Sequence, residues 1–425
     1  MQPIYRNTST ITGDTLKPCL LYIASTLHTK QQVELVEERI GAYLKNYVHS
    51  VGLATNSSRA LNLLQGCRTA VIIIVTGGTE HVILNILDQY KHPVLLVAHN
   101  YSNSLPSLLE VKPLLQGKNT SVLYTNLDSN TYRERLKAAL AAIQTVNRIR
   151  NSKLLLIGKP SPWLVHSIID SRKLKEKLGV ESVSIDIDDL VKIYSKTPDD
   201  EKTAQRILEK STEIRVPRKR LPKALRLYSA IKELMKKYNA NIASIACFDI
   251  IPKIDTTACL ALSLLNTEGE VVGCEGDMSA TLTMSLLSWL SNKPAFIGNV
   301  TDISEDYIVL AHCTAPIIYG KYRLLSHYES GRGVGLSIEL PRDTDTTIAR
   351  LSPDLTNIRV LVGKVVESGI LNPAGCRTQI KVKTAARTRL ILDRSIGNHY
   401  VLVPGIYLEH LKHTTNLLGI GLEEL

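Results

Sequence analysis

Phenylalanine is nearly missing from this 425-residue chain, with two residues against 17 tyrosines. Its core must therefore lean on Ile, Leu and Val, a composition that would also suit a thermophile. No Cys-x-x-Cys occurs among the seven cysteines, and no zinc-finger spacing is present. Five of them lie after residue 240 inside apolar runs, which reads as reduced, buried thiols in an intracellular protein. No apolar run is long enough to span a bilayer, and no N-terminal signal segment is visible, so a cytoplasmic location is expected and no membrane partner. Short-period repeats and low-complexity tracts are missing too.

A nucleic-acid role is the first thing a net charge of +11 would suggest. The cations are mostly spread along the chain, however, and no aromatic-rich stacking motif accompanies them. One cluster, VPRKRLPKALR (216–226), reads as a solvated linker entering a helix; the competing reading is an RNA-binding patch. Nucleic acid is not an expected partner.

What the sequence does contain is a restarting α/β pattern. CLLYIAST (19–26), AVIIIVTGG (70–78), HPVLLVAH (92–99) and SVLYTNL (121–127) are apolar strands separated by helical stretches. The alternation begins again at KLLLIGKPSPW (153–163) and continues through VESVSIDIDDL (180–190), NIASIACFDI (241–250) and EVVGCEGD (270–277). Continuous apolar strands of this kind form parallel sheets covered on both faces. From about 295 the texture changes to short strands with turn signals, an antiparallel sheet or barrel. The expected fold is two doubly wound α/β domains followed by a β-rich domain, with boundaries at 1–150, 151–294 and 295–425.

GCEGDMSATLTM (273–284) carries the chemistry. If 270–277 is a strand, Glu275 and Asp277 share a face at its carboxyl end, where open α/β sheets present ligand sites. Asp277 can equally be a helix N-cap. Asp249 ends the run NIASIACF, His312 ends YIVLA, and His399 opens HYVLV. Each alone is compatible with a turn acid or a satisfied core histidine. Together they make a set of carboxylate oxygens and imidazole nitrogens suited to Mn²⁺, Mg²⁺ or another divalent ion such as Co²⁺. Such an ion polarises a carbonyl and its neighbouring hydroxyl while a carboxylate moves a proton, which is aldose–ketose isomerisation through a cis-enediol.

These segments, with CFD (247–249), TTACLALSLLN (256–266), AHCTAP (311–316), SHYESGRGVG (326–335) and IGNHYVLV (396–403), resemble the L-fucose isomerase-like family, the group related to L-fucose and L-arabinose isomerases. TGGTE (76–80), NSLPSLLEV (103–111) and GKPSPWLV (158–165) also look like family signatures. The resemblance implies two α/β domains and a β-rich domain, Mn²⁺, and a homo-trimer or homo-hexamer with active sites at subunit interfaces. It implies Asp249 and Asp277 as acidic ligands that also move protons, with Glu275 able to share that role. His399 matches the late histidine ligand, and His312 a histidine on metal or sugar.

Thr79, Glu80 and Asn103 would meet a neighbour's sugar, unless their loops are plain turns. Trp163 would stack on the sugar or pack in the core. Arg332 would bind a sugar phosphate or close a hairpin, since its glycine-rich segment lacks the Gly-Lys-Ser/Thr of a Walker loop. The rival functions are a non-catalytic sugar or metabolite binder on the same scaffold, a metal-dependent epimerase or lyase, and the RNA reading of 216–226.

Overall fold

The computed structural model describes residues 17–129 and 132–425. The chain divides into two compact units, residues 17–150 with 409–421, and residues 151–408 with 422–425. The first is built on five strands, β1 (Cys19–Ile23), β2 (His49–Ala54), β3 (Ala70–Ile74), β4 (Val94–His99) and β5 (Thr120–Thr125). They pair in parallel in the order β2-β1-β3-β4-β5. Every residue of β1, β3 and β4 is buried, as expected of parallel strands covered on both faces.

Because β1 and β3 are neighbours, with Cys19 opposite Ala70, the turn before β3 brings Cys67 beside Cys19, and the two are joined in a disulfide. This corrects the expectation of a chain whose cysteines are reduced thiols. Sequence spacing could not show it, because the pairing arises from strand order. Disulfides persist in oxidising compartments and in the intracellular proteins of hyperthermophiles.

The second unit opens with a four-stranded parallel sheet made of β6 (Lys153–Ile157), β7 (Glu181–Ile185), β9 (Ile242–Ile245) and β10 (Val271–Cys274), in the order β10-β9-β6-β7. A short strand β8 (Glu213–Ile214) joins β13 (Lys321–Leu325) and β14 (Gly335–Glu339) in a small separate sheet. The remaining strands are β11 (Phe296–Ile303), β12 (Tyr307–His312), β15 (Asp345–Leu351), β16 (Asn357–Gly369), β17 (Thr378–Lys383), β18 (His399–Pro404) and β19 (Gly421–Glu424). β11, β12, β17, β16, β15 and β18 pair antiparallel in that order and close on themselves. β19 adds to β16. The architecture is thus two parallel α/β sheets followed by a six-stranded antiparallel barrel.

One helix, Met278–Ser291, packs against β9 and β10 of the sheet and against β11, β15 and β18 of the barrel. It is buried along nearly its whole length, which explains why TLTMSLLSWL shows no polar face. Thr281, Thr283 and Ser285 each donate a hydroxyl to the carbonyl four residues earlier, and Ser279 donates to the Leu351 carbonyl. Thr283 Oγ1 also accepts from the backbone N–H of Leu351 on β15 at 2.9 Å, tying the helix to the barrel.

The basic cluster leads into the helix Arg220–Lys237, whose Leu221, Pro222, Ala224 and Leu225 are buried. Arg220 donates to the Gly331 carbonyl and Arg226 to Asp199, so part of its charge is used within the unit. Among the described residues, no helix is long and apolar enough to cross a membrane.

Candidate metal centre

Three strand ends of the second unit converge on one point. β10 stops at Cys274, and the chain leaves the sheet through Glu275 and Gly276, both with positive φ of 60° and 71°. A Cβ on Gly276 would stand 2.7 Å from the Pro160 Cα, so the turn requires glycine. His312 closes β12, and His399 opens β18, where it is paired with Asn299 of the neighbouring antiparallel strand β11.

The Glu275 Oε1 lies 3.6 Å from His312 Nε2 and 3.7 Å from His399 Nε2. All three residues are buried, and their ligand atoms lie within 4.8 Å of one another. Both imidazole Nε2 atoms are buried without a hydrogen-bond partner. Buried polar atoms are normally satisfied. Two orphaned lone-pair nitrogens facing one carboxylate oxygen therefore fit a divalent cation.

The second ring nitrogens are fixed from behind. His312 Nδ1 is 3.0 Å from Thr314 Oγ1, and His399 Nδ1 is 2.9 Å from Asp277 Oδ2. A carboxylate behind a histidine sets its tautomer and raises its basicity as a ligand. Asp277 is itself held on all sides. Its Oδ1 caps the helix by accepting from the Ala280 N–H at 2.8 Å, and Arg350 Nη1 lies 3.6 Å from Oδ2. The N-cap reading and the site reading of Asp277 are both true of one side chain.

Arg350, fully buried on β15, also donates to the carbonyls of Ile396 and His399 and to Ser167 Oγ. Glu275 Oε2 accepts from Trp163 Nε1 at 2.7 Å.

The electrostatics follow. Burial alone would push the Glu275 carboxyl up, but the two imidazoles outweigh it and hold the group well below the usual range. Burial likewise opposes ionisation of Asp277, and His399 with Arg350 overcomes it. Burial would lower the His399 pKa, yet Asp277 and Glu275 raise it to about 9.

The sequence-derived residues divide accordingly. Glu275, His312 and His399 come together, with Asp277 behind His399 and Trp163 on Glu275. Asp249 does not join them. The strand expected to reach it ends at Ile245, and Cys247 already begins a helix that turns Asp249 to solvent. The shared-face reasoning for Glu275 and Asp277 also fails in detail, because the strand ends before both and a left-handed turn aims them. Arg332 pairs with Asp255 at 2.5 Å on the surface.

In the first unit, Glu80 and Asn103 line a crevice of about 580 Å³ with Ser25, Thr76, Gly77 and Ser102. It lies at the carboxyl ends of β1, β3 and β4, where the strand order reverses, the usual ligand position of such sheets. Thr79 is buried and hydrogen-bonds Thr76 and Ser107.

Two residues with no individual signal in the sequence, His327 and Glu329, stand in SHYESGRGVG (326–335). They line one cavity with Glu275, His312 and Phe248. His327 Nε2 is 3.0 Å from Glu329 Oε2. Burial works to lower the His327 pKa and raise that of Glu329, and their contact reverses both.

The chain is similar to the sulfoquinovose isomerase of Priestia aryabhattai, 23% identical over 379 residues that take in 81% of this chain and 83% of that protein. The sulfoquinovose isomerase of Priestia megaterium (strain ATCC 12872 / QMB1551) matches to the same extent, 23% over 379 residues. That of Alkalicoccus urumqiensis is 21% identical over 371 residues, 80% of this chain and 82% of its own. No family model matches the chain. Its homology to these sugar isomerases is distant but spans most of its length.

Proposed function

We propose that the chain is a metal-dependent aldose–ketose isomerase acting through a cis-enediol, on the general plan of the fucose and arabinose isomerases. The observation that carries this reading is the pair of partnerless imidazole nitrogens facing the Glu275 carboxylate. The distant relatives, all named as sugar isomerases, point the same way. Two nitrogens and one oxygen make a borderline donor set, which favours Mn²⁺ or Co²⁺ over Mg²⁺. A divalent ion at this point would polarise a sugar carbonyl and the hydroxyl beside it.

The chain's own residues then have distinct tasks. Asp277 orients His399 and is enclosed too completely to touch a sugar. Trp163 holds one oxygen of Glu275, leaving the other for the imidazoles. The His327–Glu329 pair, on the same cavity, is placed to take a proton from one sugar carbon and return it to the next. In a homo-trimer or homo-hexamer, Thr79, Glu80 and Asn103 of a neighbouring chain would complete the sugar site. Asp249 and Arg332 have no part in it.

The test is incubation of the Mn²⁺-loaded protein in D₂O with aldoses, sulfoquinovose and unmodified hexoses and pentoses included. The expected result is reversible ketose formation with solvent deuterium on the reacting carbons. An epimer or a dehydrated product would transfer the site to the epimerase or lyase reading. Binding of sugar without exchange would favour a non-catalytic binder.

Metal loading should depend on pH in a defined direction. His399 holds its proton up to about 9 in the metal-free protein, and a ligating nitrogen must be free of it. Apparent Mn²⁺ affinity should therefore fall by about tenfold per pH unit on going down from pH 8.5 to 6.5, with one proton released per ion bound. Calorimetry in buffers of different ionisation heat measures both. Affinity that stays flat over this window would remove His399 from the ligand set.

A further inference from the structure

All five free cysteines of the second unit, Cys247, Cys259, Cys274, Cys313 and Cys376, line the same cavity as Glu275 and His312. The proposed isomerisation uses none of them. Two are in contact. β9 and β10 are adjacent parallel strands with Ile245 opposite Cys274. Cys247 follows Ile245 by two residues and opens the helix Cys247–Ile254. The Cys274 thiol donates to the Cys247 sulfur, with the two sulfurs 3.0 Å apart. A disulfide requires about 2.05 Å, so the sulfurs need close by only about 1 Å.

Both ends of this pair lead to Glu275. Cys274 is its neighbour in sequence, and the turn between them is tightly specified. The Gly276 N–H donates to the Ile245 carbonyl at 3.0 Å, and the Asp277 N–H to the Cys274 carbonyl at 3.1 Å. On the other side, Cys247 precedes Phe248, whose ring meets the Trp163 ring edge-on at 4.8 Å and the His327 ring at 5.5 Å. Trp163 in turn holds Glu275 Oε2. Drawing the two sulfurs together therefore pulls on the Glu275 backbone from one side and on its hydrogen-bond donor from the other.

We propose that Cys247 and Cys274 are a reversible oxidation site for small hydroperoxides, and that the disulfide they form displaces Glu275 from the metal group. The cavity they line, about 10 Å³, has room for a water-sized molecule such as hydrogen peroxide. Cys247 is the attacking sulfur, because it accepts the Cys274 hydrogen. It attacks the peroxide O–O bond, forming a sulfenic acid and releasing water. The Cys274 sulfur then displaces hydroxide from that sulfenic acid, and its proton leaves with it as a second water. Two thiols lose two electrons and two protons, and one peroxide becomes two waters. Thiol reductants reverse the step by exchange. The oxidation itself is independent of the isomerase reading, and its consequence at Glu275 rests on the metal group.

The experiment treats the full-length reduced protein with hydrogen peroxide, alkylates the remaining thiols under denaturing conditions, and maps the peptides without reduction. The expected product is a Cys247–Cys274 cross-link, absent from Cys247→Ser and Cys274→Ser. Mn²⁺ affinity of the oxidised wild type should fall at least tenfold and recover with dithiothreitol, while peroxide-treated Cys247→Ser keeps the affinity it had before treatment. Full alkylation of both residues after peroxide, or a cross-link among Cys259, Cys313 and Cys376 in their place, would overturn the site. A Cys247–Cys274 cross-link with Mn²⁺ affinity unchanged would overturn the coupling to Glu275. A reduced protein that binds no Mn²⁺ would also end the coupling, but as a failure of the metal centre, with the cross-link still read by mass.

Discussion

Glu275→Gln is expected to weaken Mn²⁺ binding at least about 100-fold and to leave no measurable turnover. The residue supplies the only carboxylate of the buried group, and glutamine keeps its shape and its acceptor for Trp163 while removing the charge. The metal-free variant should fold normally. The two imidazoles outweigh the burial that opposes ionisation of Glu275, so neutralising it costs some stability, but the retained shape and the retained acceptor for Trp163 should keep the fold. Calorimetric titration gives the affinity, and a thermal melt followed by circular dichroism gives the fold. Glu329→Gln separates ligation from proton transfer, because it should keep Mn²⁺ affinity within about threefold and still lose turnover. Affinity retained in Glu275→Gln would remove the residue from the ligand set and return the acids of this turn to a structural role.

The two parallel sheets and the barrel were legible in the sequence because they rest on local pattern, and so was the nomination of Glu275, His312 and His399, which the fold brings together. Uninterrupted apolar runs such as AVIII and VLLVAH become fully buried parallel strands. Residues standing where such runs begin or end, His312 and His399 among them, are the ones that converge. What was not legible depends on backbone geometry or on partners far away. Asp249 was misplaced because an apolar run continues through Cys247 and Phe248 after the strand has become a helix. Glu275 and Asp277 reach the group through a left-handed turn, which the period-two rule cannot anticipate. Cys19 and Cys67 pair because β1 lies beside β3. Arg350 gave no signal at all, since an arginine within TTIARLS reads as a solvent-facing strand residue, whereas it is fully buried.

That arginine should be the most damaging single position outside the ligand set. Arg350→Met is expected to destabilise its unit by about 3–5 kcal/mol, the usual effect of removing one partner from a buried charged pair. The guanidinium joins Asp277, the carbonyls of Ile396 and His399, and Ser167 Oγ. Methionine fills much of the volume and satisfies none of them. Gly397, at φ 124°, leaves open the space against which the guanidinium lies, so the loop before β18 is shaped around this one side chain. Without it, the backbone that carries His399 loses its anchor, and Mn²⁺ affinity should fall by about 10–100-fold, the range seen when support behind a ligand is lost. Lysine should not rescue, because a single ammonium cannot reach acceptors arranged around a planar fork. Denaturant unfolding of the metal-free protein, followed by Mn²⁺ titration of the folded variant, reads the two effects separately. A stability change below about 1 kcal/mol, or rescue by Arg350→Lys, would mean that His399 is held by the barrel strands and Asp277 without help from the arginine.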